Sequence, residues 1–255
     1  MADDETGVSR TMELAQAILD GAIGATAVGL ACGGYAYAAL WPASQLFGPT
    51  LIAPRKPNEL ALTFDDGPHP QWTPQLLEIL AKHNVRATFF LLGKYASTQR
   101  PLVQQIHQAG HLIGNHTWNH PNLALTNQRK TREELHSTTA ELQSITGQSV
   151  RYFRPPFGAR RPDTLRIARE LGLVPVTWNA MTTDWSTPTP EPIAARLAAA
   201  IHRNTQRGHA TNLVLHDGGH LSLAADRGAS VAAAAILLDR FRTSFQCVNL
   251  NSWEL

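Results

Sequence analysis

The sequence predicts an α/β fold: a (β/α) barrel of about seven parallel strands that need not close completely, preceded by an apolar helix. Three observations predict it. Short apolar runs alternate with helical patterns along most of the chain, which argues for parallel βαβ units. No glycine-rich phosphate loop follows the first run, which removes the nucleotide-binding reason for an open doubly wound sheet. The unusual polar residues recur just after the apolar runs, where barrels of this kind collect their functional groups.

Residues 1–10 are polar and acidic and are expected to lack order. Between Gly21 and Leu40 stands an uncharged stretch, GAIGATAVGLACGGYAYAAL. It is long enough to span a bilayer, yet it is mostly Ala and Gly, so its transfer free energy is weak. Ala36-Tyr37-Ala38 resembles a small-residue cleavage site, but Asp3, Asp4 and Glu5 stand where an export signal carries positive charge. A membrane anchor or export segment is the expectation; a helix of small residues packed on the domain is the alternative. Residues 41–57 read as a proline-containing linker. This divides the chain into 1–57 (tail, apolar segment and linker) and a domain over 58–255.

Within the domain, strands are predicted near Glu59–Phe64, Arg86–Leu92, His111–Asn115, Val150–Phe153, Leu173–Trp178, Asn212–His216 and Phe245–Leu250. Thr73–His83 reads as a helix because Leu76, Leu77, Ile79 and Leu80 share a side, and Pro74 suits a first turn. Helical patterns also cover Gln99–Ala109, Gln128–Ile145, Arg161–Leu171, Glu191–Arg203 and Ser230–Arg242. Gly110, Gly147 and Gly172 fall where helices should stop, as glycines past a helix end do.

Composition excludes several classes of function. At 255 residues, 43% apolar and 16% charged, the chain is an ordinary globular protein able to bury one large core. A formal charge of +2 without a Lys/Arg-rich run gives no case for nucleic acid. Cys32 and Cys247 are far apart in unlike contexts, so neither a disulfide framework nor a cysteine metal site is expected. The redox compartment and the oligomeric state stay open.

Chemistry is concentrated at the ends of the predicted strands. Leu60-Ala-Leu-Thr-Phe-Asp-Asp-Gly-Pro-His-Pro70 runs from a buried strand into two adjacent carboxylates, Asp65 and Asp66. Such a pair repels itself and resists desolvation, so it needs a cation unless it is merely a solvated turn. His116 and His120 follow the third strand at i, i+4, a spacing that places two imidazoles on one face of a helical turn. With one carboxylate of Asp65 or Asp66 they form a two-histidine, one-carboxylate set that leaves open positions on a divalent ion. Arg154-Pro-Pro-Phe-Gly158 follows the fourth strand, Asp184-Trp185 lies beyond the fifth, and His216-Asp-Gly-Gly219 follows the sixth. The other histidines, among them His83, His107, His136 and His202, read as surface residues, His69 and His220 receive no role, and Trp178 reads as core. Asn115-His116-Thr117 is formally a glycosylation sequon, read as accidental.

TFDDGPHP (63–70), HTWNH (116–120), RPPFG (154–158), DW (184–185) and LVLH (213–216) occur in the order found in polysaccharide deacetylases. From about Asn58 to Leu250 the chain resembles the NodB-homology domain of carbohydrate esterase family 4. The resemblance implies a distorted or incomplete (β/α) barrel and hydrolysis of N- or O-acetyl groups on sugars with a divalent metal, commonly Zn2+. It implies Asp65 as catalytic base, Asp66, His116 and His120 as metal ligands, and His216 as the general acid. Arg154 would pair with the base, Asp184 would orient His216, and Pro155, Phe157, Trp185 and Leu215 would be substrate-binding residues, with the Phe157 backbone N–H near the oxyanion. Two departures stand out. Phe157 occupies a position where the family often has Tyr, and the stretch from Gly219 to Arg227 is longer than the short glycine-rich link expected there. The expected substrate is an acetylated glycan such as peptidoglycan or a chitin-like oligomer; deformylation or deacylation of a lipid-linked sugar, or a catalytically silent carbohydrate-binding domain, is the competing reading. The expected location is the cell envelope, with the cytoplasm as the alternative.

Overall fold

The computed structural model describes Thr26 and residues 29–253. Among them lies a sheet of seven strands, all parallel: β1 (Glu59–Asp65), β2 (Thr88–Leu91), β3 (Leu112–Asn115), β4 (Tyr152–Phe153), β5 (Val174–Pro175), β6 (Thr211–His216) and β7 (Gln246–Val248). The spatial order is β5-β4-β3-β2-β1-β6, with β7 paired to the start of β1. β1 is the centre: β2 pairs with its last residues, β7 with Glu59–Ala61, and β6 with Leu60–Asp65. Six of its seven residues are buried, as expected of a parallel strand covered on both faces.

The curled sheet does not close by a continuous ladder. Between β5 and β6 the chain contributes one isolated parallel bridge, Ala180 with Leu213. The fold is therefore a distorted, incomplete (β/α) barrel. Helices α2 (Trp72–Lys82), α3 (Gly93–Thr98), α4 (Arg100–Gln108), α5 (Gln128–Thr146), α6 (Pro162–Glu170), α7 (Pro190–Gln206) and α8 (Gly228–Phe241) wrap it, following the N-terminal helix α1 over residues 29–40. Leu76 and Leu80 of α2, Leu135 and Leu142 of α5, and Leu197 and Ile201 of α7 enter one core with Leu60, Leu62 and Phe64 of β1. Gly147 caps α5 with φ 68°, and Gly110 and Gly172 also have positive φ just past their helices. α3 escapes the sequence pattern because GKYAST is too short to show a period.

The segment read as a linker is packed. Leu51 forms a parallel bridge with Val176, accepting from Thr177 N and donating to Pro175 O. Buried Arg160 donates to the carbonyls of Gly158, Trp41 and Ser44 at 2.8, 2.8 and 2.7 Å, tying this segment to the barrel rim. None of the described helices is long and apolar enough to cross a membrane. Residues 21–25, 27 and 28 of the predicted apolar segment lie outside the described residues. His83 is buried rather than at the surface, its Nε2 3.6 Å from Asp239.

Candidate active site

At the carboxyl ends of the strands a cavity of about 470 Å3 opens, lined by Asp65, Asp66, His116, His120, His216 and His220, with Phe157, Trp178 and Trp185 on its walls. Backbone strain marks the same place. Of five non-glycine residues with positive φ among those described, Asp66, Thr117, His120 and Phe157 lie at this site. Conformations that side chains resist persist only where surrounding structure over-determines them.

The two histidines are not on a helical turn. Residues 116–120 form a loop in which Thr117 (φ 69°) and His120 (φ 63°) are left-handed. The loop is imposed by side chains distant in sequence. Buried Glu134 of α5 accepts from Trp118 N at 2.8 Å, Asn119 N at 2.7 Å and Asn119 Nδ2 at 2.9 Å. Asn115 Oδ1 accepts from Thr117 N, and Thr117 Oγ1 from His120 N. Asn115 Nδ2 is itself bound to Leu135 O and Thr139 Oγ1, so the formal sequon is buried and occupied.

The loop turns both imidazoles toward Asp66. Its Oδ1 lies 3.5 Å from His116 Nε2 and 3.3 Å from His120 Nε2. His116 Nδ1 is 2.8 Å from the Arg154 carbonyl. A carbonyl only accepts, so Nδ1 carries the proton and Nε2 presents its lone pair. Burial and the neighbouring His116 push the proton affinity of His120 down to about 2, leaving it neutral. Burial opposes ionisation of Asp66, but the hydrogen bond from His220 and the imidazoles around it prevail and hold it below the usual carboxylate range. The ligand atoms of the three residues lie within 4.8 Å of one another, and Asp66 Oδ1 is buried without a hydrogen-bond partner. A buried, orphaned carboxylate oxygen facing the Nε2 atoms of two imidazoles fits a divalent cation.

Asp65 faces a different partner. Arg154, fully buried, donates to Asp65 Oδ1 and Thr63 Oγ1 at 2.7 Å each and to Asn212 Oδ1 at 3.2 Å. Its guanidinium stacks 4.1 Å from the Phe90 ring. Across the cavity His216 Nδ1 lies 2.9 Å from Asp184 Oδ1, while Asp184 Oδ2 accepts from His216 N at 2.8 Å and Ser230 Oγ at 2.7 Å. Burial would lower the proton affinity of His216, but the charge and hydrogen bond of Asp184, with Asp66 and Asp65 beyond, raise it to about 9.

Pro155, Phe157 and Trp185 line the cavity. Leu215 is fully buried in the core and is not on the cavity wall, because successive β6 residues point to opposite faces. Trp178 is buried yet also lines the cavity. Glu134, Ser230 and His220 were not legible as site residues: each reaches the site only through tertiary contact. His69 has a structural task, its Nδ1 accepting from Gln71 N and Trp72 N at the start of α2. Asp217, beneath the acidic turn, is fully buried; burial raises its pKa to about 7, with Thr73 Oγ1 donating to it.

These features coincide with known proteins. The sequence profile of the family described as polysaccharide deacetylase matches residues 53–176. The chain is 38% identical over 162 residues to a chitooligosaccharide deacetylase of Azorhizobium caulinodans, covering 63% of this chain and 74% of that one. It is 42% identical over 132 residues to a peptidoglycan-N-acetylglucosamine deacetylase of Bacillus cereus, covering 52% of this chain but only 48%, about half, of that relative. A crystal structure described as a CE4 family pseudoenzyme from Bacillus anthracis superposes with a TM-score of 0.70 at 26% identity, covering 80% of this chain and 68% of that one. The chain belongs to the polysaccharide deacetylase family.

Proposed function

We propose that the protein is a metal-dependent hydrolase that removes N-acetyl groups from an N-acetylglucosamine-containing glycan. A pseudoenzyme shares the fold, so the fold alone does not carry this reading. The observation that carries it is the convergence, in one cavity, of the Asp66–His116–His120 set with the Arg154–Asp65 pair and the Asp184–His216 pair.

Asp66, His116 and His120 would hold the cation, for which Zn2+ suits the two-imidazole, one-carboxylate donor set. When bound, it supplies Lewis acidity toward the acetyl carbonyl and acidifies water. Asp65, paired with the Arg154 guanidinium and fixed in rotamer by it, accepts the proton of the attacking water. The Phe157 backbone N–H donates to the carbonyl oxygen as negative charge develops there. His216, kept protonated by Asp184, gives its proton to the leaving amine nitrogen. Trp185 and Phe157, 45% and 54% exposed, offer apolar faces to the sugar and the acetyl methyl.

Relatives named as peptidoglycan and chitooligosaccharide deacetylases support these two substrate classes. Polymers of this kind belong to the cell envelope, and the apolar stretch 21–40 supports an exported or anchored enzyme from sequence alone. The test is acetate release from chitooligosaccharides, peptidoglycan fragments and lipid-linked sugars, with and without chelator. Chelator-sensitive release from the first or second is expected; release only from the third would reassign the substrate, and none from any would overturn the hydrolase reading.

A further inference from the structure

The longer stretch after the HDGG motif is a built wall of the site. Lys94 Nζ and Tyr95 Oη of α3 donate to the carbonyls of His220 and Gly219 at 2.6 and 3.1 Å. Arg227 Nε donates to Gly218 O at 2.6 Å, and Trp72 Nε1 to Ala225 O at 3.2 Å. Within the loop Ser222 N donates to Gly219 O at 3.1 Å. With its carbonyls held at both ends, the loop has little freedom in where it places the His220 side chain.

That imidazole lies over His120, ring centroids 4.2 Å apart and planes 19° from parallel, with the Phe157 ring centroid 5.5 Å away and its plane nearly perpendicular. Its Nδ1 stands 3.5 Å from Asp66 Oδ2. The Asp66 carboxylate is thereby divided. Oδ1 faces the two ligand histidines and has no hydrogen-bond partner, while Oδ2 faces His220. The stacking also decides what His220 does. Imidazole lone pairs lie in the ring plane, so two nearly parallel rings 4.2 Å apart direct them side by side rather than onto one ion. His220 is therefore placed to hold a ligand and not to be one.

We propose that His220 is a positioning residue of the metal centre: its Nδ1–H donates to Asp66 Oδ2, which commits Oδ1 to the cation and fixes the carboxylate rotamer. The inference rests on the reading of Asp66, His116 and His120 as cation ligands. Groups that orient a ligand in this way govern affinity, and their loss weakens metal binding by about 10–100-fold.

The test uses the full chain, freed of metal and titrated with Co2+ against a chromogenic chelator. His220→Phe keeps a ring over His120 and removes the donor. His220→Asn removes the ring and keeps an N–H near the former Nδ1. The unaltered chain should bind one Co2+; His220→Phe should bind about 10–100-fold more weakly with the same visible Co2+ spectrum, and His220→Asn should recover most of the loss. Both side chains sit at a partly exposed position, and thermal melts of the metal-free variants check folding independently. Equal Co2+ affinity in His220→Phe overturns the inference, as does failure of His220→Asn to recover what His220→Phe loses. A Co2+ spectrum altered by His220→Phe also overturns it, because that change identifies a direct ligand. If the unaltered chain binds no Co2+, the proposed metal-dependent function fails, and with it the role of His220.

Discussion

Asp65 and Asp66 are adjacent, yet a guanidinium faces one and three imidazoles face the other. In the proposed mechanism this difference separates base from ligand. Asp65→Asn keeps the shape and removes the proton acceptor, so turnover should fall by about 10²–10⁴-fold while Co2+ affinity is retained. Asp66→Asn should weaken Co2+ binding itself; metal lost from Asp65→Asn instead would reverse the two roles. His216 supports a pH prediction. Its pKa is raised to about 9, so it is protonated through neutrality and loses its proton as pH rises through that value. Acetate release should hold up to this point and decline above it. Asp184→Asn removes the carboxylate that outweighs burial, so the alkaline limb of kcat should move down by about 1–3 pH units. By linkage, the raised affinity also stabilises the fold fully below the unfolded histidine's ordinary pKa of about 6.5 and stops doing so as pH passes through the folded value; a limb unmoved by Asp184→Asn would remove His216 from the acid role.

At the scale of elements, the histidine loop depends on a helix it does not belong to. Glu134 of α5 accepts three N–H groups of Trp118 and Asn119. Glu134→Ala would remove the acceptor of three part-buried donors, at about 1 kcal/mol each because water reaches Asn119. Lower thermal stability and weaker Co2+ binding are expected together, although Glu134 touches no metal ligand side chain; full Co2+ affinity in this variant would show that the loop keeps its form unaided. The HDGG motif braces the acidic turn by close approach. A Cβ at Gly218 would stand 2.2 Å from the Asp66 carbonyl oxygen, and one at Gly67 2.6 Å from Asp217 Oδ2. Because the obstacle at Gly218 is backbone, Gly218→Ala should displace Asp66 and reduce both stability and metal affinity, measured by melting and by chelator competition. These arrangements were only partly legible. The i, i+4 spacing of His116 and His120 singled out two residues whose imidazoles do come together, but it predicted a helical turn, whereas Thr117 and His120 are left-handed. Spacing reports which residues can meet; it carries no record of Glu134, fourteen positions beyond His120, which decides how they meet.

For the molecule as a whole, the barrel is incomplete between β5 and β6, and segments outside the predicted domain cover that side. Leu51 bridges to Val176, Pro54 O accepts from Ala210 N, and Asn212 Nδ2 donates to the carbonyls of Ile52 and Thr177. Arg160 then fastens residues 41 and 44 beside Gly158, next to the strained Phe157. Arg160→Met should destabilise the fold by about 3 kcal/mol through three carbonyls losing a charged donor. Limited proteolysis should then cut faster between residues 41 and 50; an unchanged cleavage pattern would mean that apolar packing alone holds the segment.

By itself the sequence determined the alternation of strands and helices and the parallel barrel class, and it singled out Asp65, Asp66, His116, His120, Arg154, Asp184 and His216 as candidates. Those signals are local: a period, a turn, or a polar group at the end of an apolar run, all set by neighbours within a few positions. Only the tertiary structure decided which carboxylate oxygen faces which imidazole, that Leu215 turns into the core, and that His220 arrives over His120 on a loop pinned by α3. Each of these is a distance between side chains far apart in the chain. Such distances depend on how the strands curl and the helices pack, which no local pattern encodes.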